Sequence, residues 1–236
     1  MKNMDSIKFF PMGEDALIME FGDTMNIEMN NTILSWKKTI ETAAIPGVSE
    51  IVPAYTTLTV FYRPEDIFAY HPFERLKELI LQLSPPLSTI IKKKQIKEIP
   101  VCYEEPYALD LKFVADFNKL SIQEVIQIHI SQIYPVYFLG FSPGFPFLGG
   151  MDSKIATPRR TVPRSTIPAG SVGIAGEQTG IYPLASPGGW QIIGRTPYQL
   201  FDQSHHQPTL LQSGDLIRFI TISKEEFQAL EGKHVD

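Results

Sequence analysis

Apolar positions recur along the first eighty-odd residues at two spacings, and the alternation between those spacings predicts the order of strands and helices. Ile7 to Phe10 and Ala16 to Phe21 are strand-length apolar runs joined by Pro11-Met12-Gly13-Glu14-Asp15. Gly13 in that join suits a hairpin turn. Met25, Met29, Ile33, Trp36 and Ile40 then recur at intervals of four, four, three and four. That is the repeat of one helical face, with Asp23 placed to cap it. A stripe of this kind is the core side of a helix rather than a binding groove. Pro46-Gly47 closes the helix, and Val48 to Pro53 and Thr57 to Tyr62 return to strand character. From Pro72 to Leu83 the helical repeat comes back, with Phe73, Leu76, Ile80 and Leu83 on the buried side. The order ββαββα predicts a small α/β sandwich, two helices on one face of an antiparallel or mixed sheet.

Past this point Ser84-Pro85-Pro86 interrupts the pattern, and Lys92, Lys93 and Lys94 follow as a solvated linker. We expect a domain boundary there, with 1–86 as the first domain and 92–236 as the second. Gln95 to Tyr103 alternates like a strand. Asp110 to Leu120 and Ser121 to Gln132 read as two short helices, Ser121 and Glu124 having capping-box spacing. A tandem pair of helices also raises a DNA-reading motif, but the second presents Ile122, Val125, Ile126, Ile128 and Ile130 and no Lys or Arg. A structural pair is expected instead. Tyr134 to Pro197 holds eleven of the sixteen glycines and nine of the nineteen prolines. Punctuation this dense excludes a long helix and predicts short strands, among them Val136 to Phe141, Ser171 to Ala175 and Trp190 to Ile193. Asp215 to Ile222 reads as a closing strand and Lys224 to His234 as a short polar tail. The expected fold class is an α+β domain followed by a mainly-β one.

Composition narrows the partners. With 43% apolar and 20% charged residues and a net charge of -5 over 236 residues, the chain reads as an ordinary folded protein. Mild acidity argues against nucleic acid, which needs a concentrated basic face. No apolar run approaches a membrane span, and MKNMDSIKFF carries no signal-type apolar core. One cysteine, Cys102, excludes an intramolecular disulfide and suits the reducing cytoplasm, the expected location.

Several familiar chemistries are missing. There is no Gly-x4-Gly-Lys-Ser/Thr phosphate loop, and Ser171 stands in a near-match to a nucleophile elbow in which Ala169 replaces the first glycine. Cys102 reads as a small buried hydrophobe, and the histidines lack metal-ligand spacing, so no metal is expected. What remains is a set suited to anions and amides. Arg159, Arg160 and Arg164 lie in Pro-Arg-Arg-Thr-Val-Pro-Arg, where prolines stiffen the loop and lower the entropy of holding guanidinium groups for a carboxylate or phosphate. The competing reading is that they pair with surface acids and tie down the loop. Gln178, Tyr182, Trp190 and Gln191 can supply amide-directed hydrogen bonds and an aromatic wall. His129 is a candidate proton carrier, against the commoner reading of a satisfied structural histidine. No residue is matched to a catalytic role.

The runs GFSPGFPFLGG, PRR-x-x-PR, IPAGSVGIAGEQTGIYP and SPGGWQIIGRTP resemble the signature of the family of 5-oxoprolinase B subunits, also known as allophanate hydrolase subunit 1 or the sporulation-kinase-inhibitor family. GEDALIMEFG and VPAYTTLTVFY add to the resemblance in the first domain, whereas Glu104-Glu105-Pro106 departs from the glycine that the family tends to carry there. The resemblance implies a small α/β N-terminal domain, a cyclophilin-like β-barrel, and action with 5-oxoprolinase A and C subunits in the ATP-dependent opening of 5-oxoproline to L-glutamate. It thereby implies ATP as co-substrate and a small planar amide as substrate. Related domains occur in urea carboxylase. Under it the three arginines would hold a carboxylate or transferred phosphoryl group, and Gln178 and Gln191 would read the lactam against Tyr182 and Trp190. A second implied role is binding and inhibition of a sporulation sensor histidine kinase. The cyclophilin likeness also raises prolyl isomerisation, with Phe141, Phe145 and Phe147 as a proline slot, but a shared fold does not carry an activity.

Overall fold

The structure, a computed structural model, describes residues 7–85 and 95–231 and divides into two compact units, Met1–Lys93 and Lys94–Asp236. The lysine run Lys92 to Lys94, the ends of the expected boundary at 86 and 92, and His234 lie outside the described residues.

In the first unit, strands β1 (Lys8–Met12) and β2 (Ala16–Glu20) form an antiparallel hairpin. Pro11 and Met12, expected in the turn, belong to β1 opposite Leu17 and Ala16, so the turn is confined to Gly13, Glu14 and Asp15, with Gly13 at φ +67. Helix α1 (Ile27–Ala43) follows. Its cap is Asn26 rather than Asp23: Asn26 Oδ1 accepts from the Met29 N–H at 2.8 Å. Starting the helix there leaves Met25 outside the stripe, 47% exposed, while Met29, Ile33, Trp36 and Ile40 are buried. The helix ends before Pro46-Gly47, at Ala44 in the left-handed region. Strands β3 (Val48–Pro53) and β4 (Thr57–Tyr62) complete an antiparallel sheet in the order β1-β2-β4-β3, and α2 (Pro72–Leu81) closes the unit. Leu17 and Met19 of β2 and Leu58, Val60 and Tyr62 of β4 point inward with period two; α1 packs on β3 and β4 and α2 on β2.

The second unit opens with β5 (Ile96–Val101), then α3 (Leu111–Asn118) and α4 (Ile122–Ser131). Ser121 and Glu124 form the expected capping box. Eight short strands follow: β6 (Tyr134–Leu139), β7 (Pro146–Leu148), β8 (Arg164–Ile167), β9 (Ser171–Ala175), β10 (Gln178–Ile181), β11 (Ser186–Gly188), β12 (Gln191–Arg195) and β13 (Leu216–Thr221). The run ending at Phe141 leaves strand geometry after Leu139, because Phe141 takes φ +68 at the centre of a three-residue turn in which the Ser142 N–H donates to Gly140 O. Trp190 precedes β12 rather than opening it.

Seven strands form one sheet in the order β12-β9-β10-β7-β6-β13-β5, and β8 pairs with β11 separately. The edges of the seven-stranded sheet meet: Cys102, next after β5, bridges Arg195 at the end of β12, with N–H to O distances of 2.8 and 3.0 Å. That pair turns the sheet into a nearly closed barrel, which leaves no free edge there. Gly194 permits it, since a Cβ at that position would lie 2.6 Å from Val101 Cγ1 and 2.9 Å from Cys102 O. Helices α3 and α4 pack together, against β12 and β13 respectively, over a core that includes Val114, Val125, Tyr134, Val172, Ile193 and Phe219. The expected polar tail is instead helix α5 (Lys224–Leu230), with a capping box from Ser223 and Glu226 and Phe227 fully buried.

Candidate functional site

The arginine loop is organised by a residue that the sequence pattern places at a helix start. Asp110 stands just before α3, where an aspartate ordinarily caps a helix, but its side chain makes no capping bond. It turns instead to the segment between Thr157 and β8. Arg164 grips it with both terminal nitrogens, Nη1 to Oδ2 and Nη2 to Oδ1 at 2.8 Å each, and Arg160 Nη1 donates to Oδ1 at 3.1 Å. The Ile192 N–H donates to Oδ2 at 2.7 Å, and the Asp110 N–H returns a bond to Ile192 O at 2.7 Å. A carboxylate only 5% exposed is thus surrounded by four donors, three of them charged. These bonds to Asp110 hold the Arg164 guanidinium even more firmly protonated than usual.

One carboxylate answers two of three guanidinium groups. Arg159 is exposed and makes no ion pair among the described residues, while Arg160 and Arg164 keep 35% and 23% of their side-chain surface open. The loop therefore carries excess positive charge on a rigid frame. Its backbone is fixed as well: the Arg160 N–H donates to Gly189 O at 2.7 Å, and Gln191 Nε2 donates to Pro158 O at 2.9 Å. Gln191 is 3% exposed, and its Oε1 is buried without a hydrogen-bond donor among the described residues.

Beneath the loop, Phe145, Tyr182 and Trp190 meet edge to face, with centroids 5.5 to 6.2 Å apart. Tyr182 and Trp190 are 2% and 7% exposed, so they form a floor rather than an open wall. Burial pushes the Tyr182 phenol up, and both a backbone hydrogen bond at Trp190 and the charge of Arg159 draw it back. The paired glycines of SPGGW make the close approach possible: a Cβ on Gly188 would stand 2.5 Å from the Tyr182 hydroxyl and 2.6 Å from Ile167 Cδ1.

Arg160, Arg164 and Gln191 are thus brought into one hydrogen-bonded network, with Arg159 adjoining it and Tyr182 and Trp190 below. Gln178 is set apart at the start of β10, on the other side of β9 from Gln191. His129 is not part of the group. It is fully buried on α4, stacked on Phe219 at 4.5 Å, with Nδ1 2.8 Å from the Tyr103 hydroxyl and Nε2 3.0 Å from Thr179 Oγ1. Thr179 Oγ1 donates to Gly173 O, so it accepts from Nε2–H and Nδ1 accepts from Tyr103. That neutral form is enforced by burial, which lowers the pKa to about 3. Among the described residues no cluster of His, Cys, Asp and Glu is arranged to hold a metal, and no helix is long and apolar enough to cross a membrane.

Residues 7–211 match the family model for the carboxyltransferase domain, subdomain C and D. Curated relatives include the 5-oxoprolinase B subunit of Bacillus subtilis, 44% identical over 92% of this chain and 94% of that protein. The corresponding 5-oxoprolinase B subunit of Haemophilus influenzae is 40% identical over 89% of this chain and 95% of its own length. The crystal structure of TTHA0988 superposes with a TM-score of 0.79 at 36% identity, over 88% of this chain; the chain spans 40% of that longer protein.

Proposed function

The chain belongs to the family of the carboxyltransferase domain, subdomain C and D, among its 5-oxoprolinase B subunits, and from that premise we propose that it is the B subunit of an ATP-dependent 5-oxoprolinase. The observation that carries this reading is identity of 40 to 44% to two such subunits along nearly their whole length. In this reading the chain works with the A and C subunits to open 5-oxo-L-proline to L-glutamate. The γ-phosphoryl group of ATP goes to the lactam oxygen, water adds to the activated carbon, and loss of phosphate with cleavage of the C–N bond releases the amine. Such chemistry needs orientation and charge neutralisation more than a protein nucleophile. The rigid arginine loop with its excess positive charge suits that task, Arg159, Arg160 and Arg164 meeting the anion and Gln178 and Gln191 the amide above Tyr182 and Trp190. ATP is a co-substrate of the assembly, and this chain carries no Gly-rich phosphate loop of its own.

The test is glutamate release and 5-oxoproline-dependent ATP hydrolysis by purified A and C subunits, with this chain added or omitted. Glutamate is expected only when all three are present. Equal activity without the chain, or none with it despite verified assembly, overturns the reading.

A further inference from the structure

We infer that the Asp110–arginine–Gln191 network is a complete small-ligand site within this one chain, built for a carboxylate that also carries an N–H donor. Two independent features point to such a ligand. The first is charge: three guanidinium groups stand on the loop and only Asp110 balances them, so the loop attracts an anion. Because Asp110 already occupies both terminal nitrogens of Arg164, the anion goes to Arg159 and to the open face of Arg160. The second feature is Gln191. Its Nε2 is committed to Pro158 O, which fixes the amide orientation and leaves Oε1 as an acceptor, with the residue only 3% exposed. A buried acceptor without a donor is destabilising unless something supplies a hydrogen. The carbonyl that holds Gln191 belongs to Pro158, next in sequence to Arg159, so the acceptor and the free charge are within one residue of a shared anchor.

A ligand that satisfies both is a compact acid with an N–H near its carboxylate. A lactam acid has that chemistry, and a lactone acid of the same shape lacks only the donor. The choice of 5-oxo-L-proline as probe rests on the oxoprolinase reading; the site itself rests on the network.

Every group named is on this chain, so the full-length chain alone is the test sample. Calorimetric titration would compare 5-oxo-L-proline, its lactone isostere 5-oxotetrahydrofuran-2-carboxylate, and 2-pyrrolidinone, which lacks the carboxylate. The lactam acid is expected to bind about tenfold or more tightly than either analogue, the usual scale for leaving a buried polar group unpaired. Gln191→Leu should equalise lactam and lactone, and Arg159→Ala should weaken both acids alike. Equal binding of lactam and lactone by the unaltered chain means that Gln191 Oε1 meets only water and overturns the inference, with no variant needed. Absence of binding, or a preference that survives Gln191→Leu in a folded variant, overturns it too. The two proposals fail separately: glutamate release without this discrimination removes the site but keeps the role in the complex, and discrimination without glutamate release does the reverse.

Discussion

Asp110 shows how much a single side chain fixes here. Substitution by Asn keeps the shape but removes the anion shared by Arg160 and Arg164, and it turns one acceptor into a donor facing them. Breaking a buried pair from one side typically costs about 3–5 kcal/mol. The guanidinium groups here are partly open to water, so we expect about 2–3 kcal/mol for Asp110→Asn in urea denaturation. Loss below about 0.5 kcal/mol would mean that the network adds little to stability. His129 makes a second prediction. Its native pKa is lowered by burial to about 3, below the ordinary 6.5, so only the unfolded chain takes up a proton on moderate acidification. Its contribution is full above pH 6.5 and is lost progressively as the pH falls toward 3. Between about pH 6.5 and about pH 5 the loss is about 2 kcal/mol, and His129→Gln should flatten that part of the pH–stability curve; an unchanged slope would assign it to other groups. Neither residue's full setting was legible in the sequence. Asp110 meets partners fifty or more positions away, and before an apolar helix it has the local pattern of a cap. For His129, the isoleucine-rich helix around it did point to a buried, structural side chain.

Elements with several buried positions were readable, and those that rest on one were not. Helix α1 has a four-residue apolar stripe, and β3 and β4 alternate cleanly, so their extents followed from periodicity. Helix α5 buries Phe227 alone in seven residues, which is too little repeat to separate from a polar tail. Its stability depends on its start: Ser223→Ala removes one half of the capping box and should cost about 1 kcal/mol, read as increased fraying in amide exchange at Phe227. Barrel closure was equally invisible, because a one-residue bridge has no sequence pattern. It rests on the fit of Gly194 against Val101 and Cys102. Gly194→Ala forces a methyl into that contact and should destabilise by about 1–3 kcal/mol, with loss of exchange protection at the Cys102 and Arg195 amides before the rest of the sheet. Protection retained at both would show that the edges separate and rejoin around the extra atom.

At the scale of the whole chain, each unit is furnished with its own core. The first buries Leu17, Met19, Ile33, Trp36, Leu58, Val60, Leu76 and Ile80 around a four-stranded sheet, and the second surrounds its barrel with the residues of β5 to β13 and the helices α3 and α4. A unit with a closed hydrogen-bonded sheet and its own buried cluster has what independent folding requires. We therefore propose that 1–86 and 92–236 fold when expressed apart. Size predicts unequal outcomes, since a domain of eighty-odd residues buries a smaller fraction of its surface than one of about 145 and has the smaller margin. The second fragment should unfold cooperatively near the midpoint of the intact chain, and the first at lower denaturant. Because Asp110, Arg159, Arg160, Arg164 and Gln191 all lie in 92–236, that fragment should also keep the lactam-over-lactone preference of the full chain. A folded second fragment that has lost the preference would mean that residues before 92 complete the ligand site. An unfolded one would make the two units a single cooperative structure despite their separate cores.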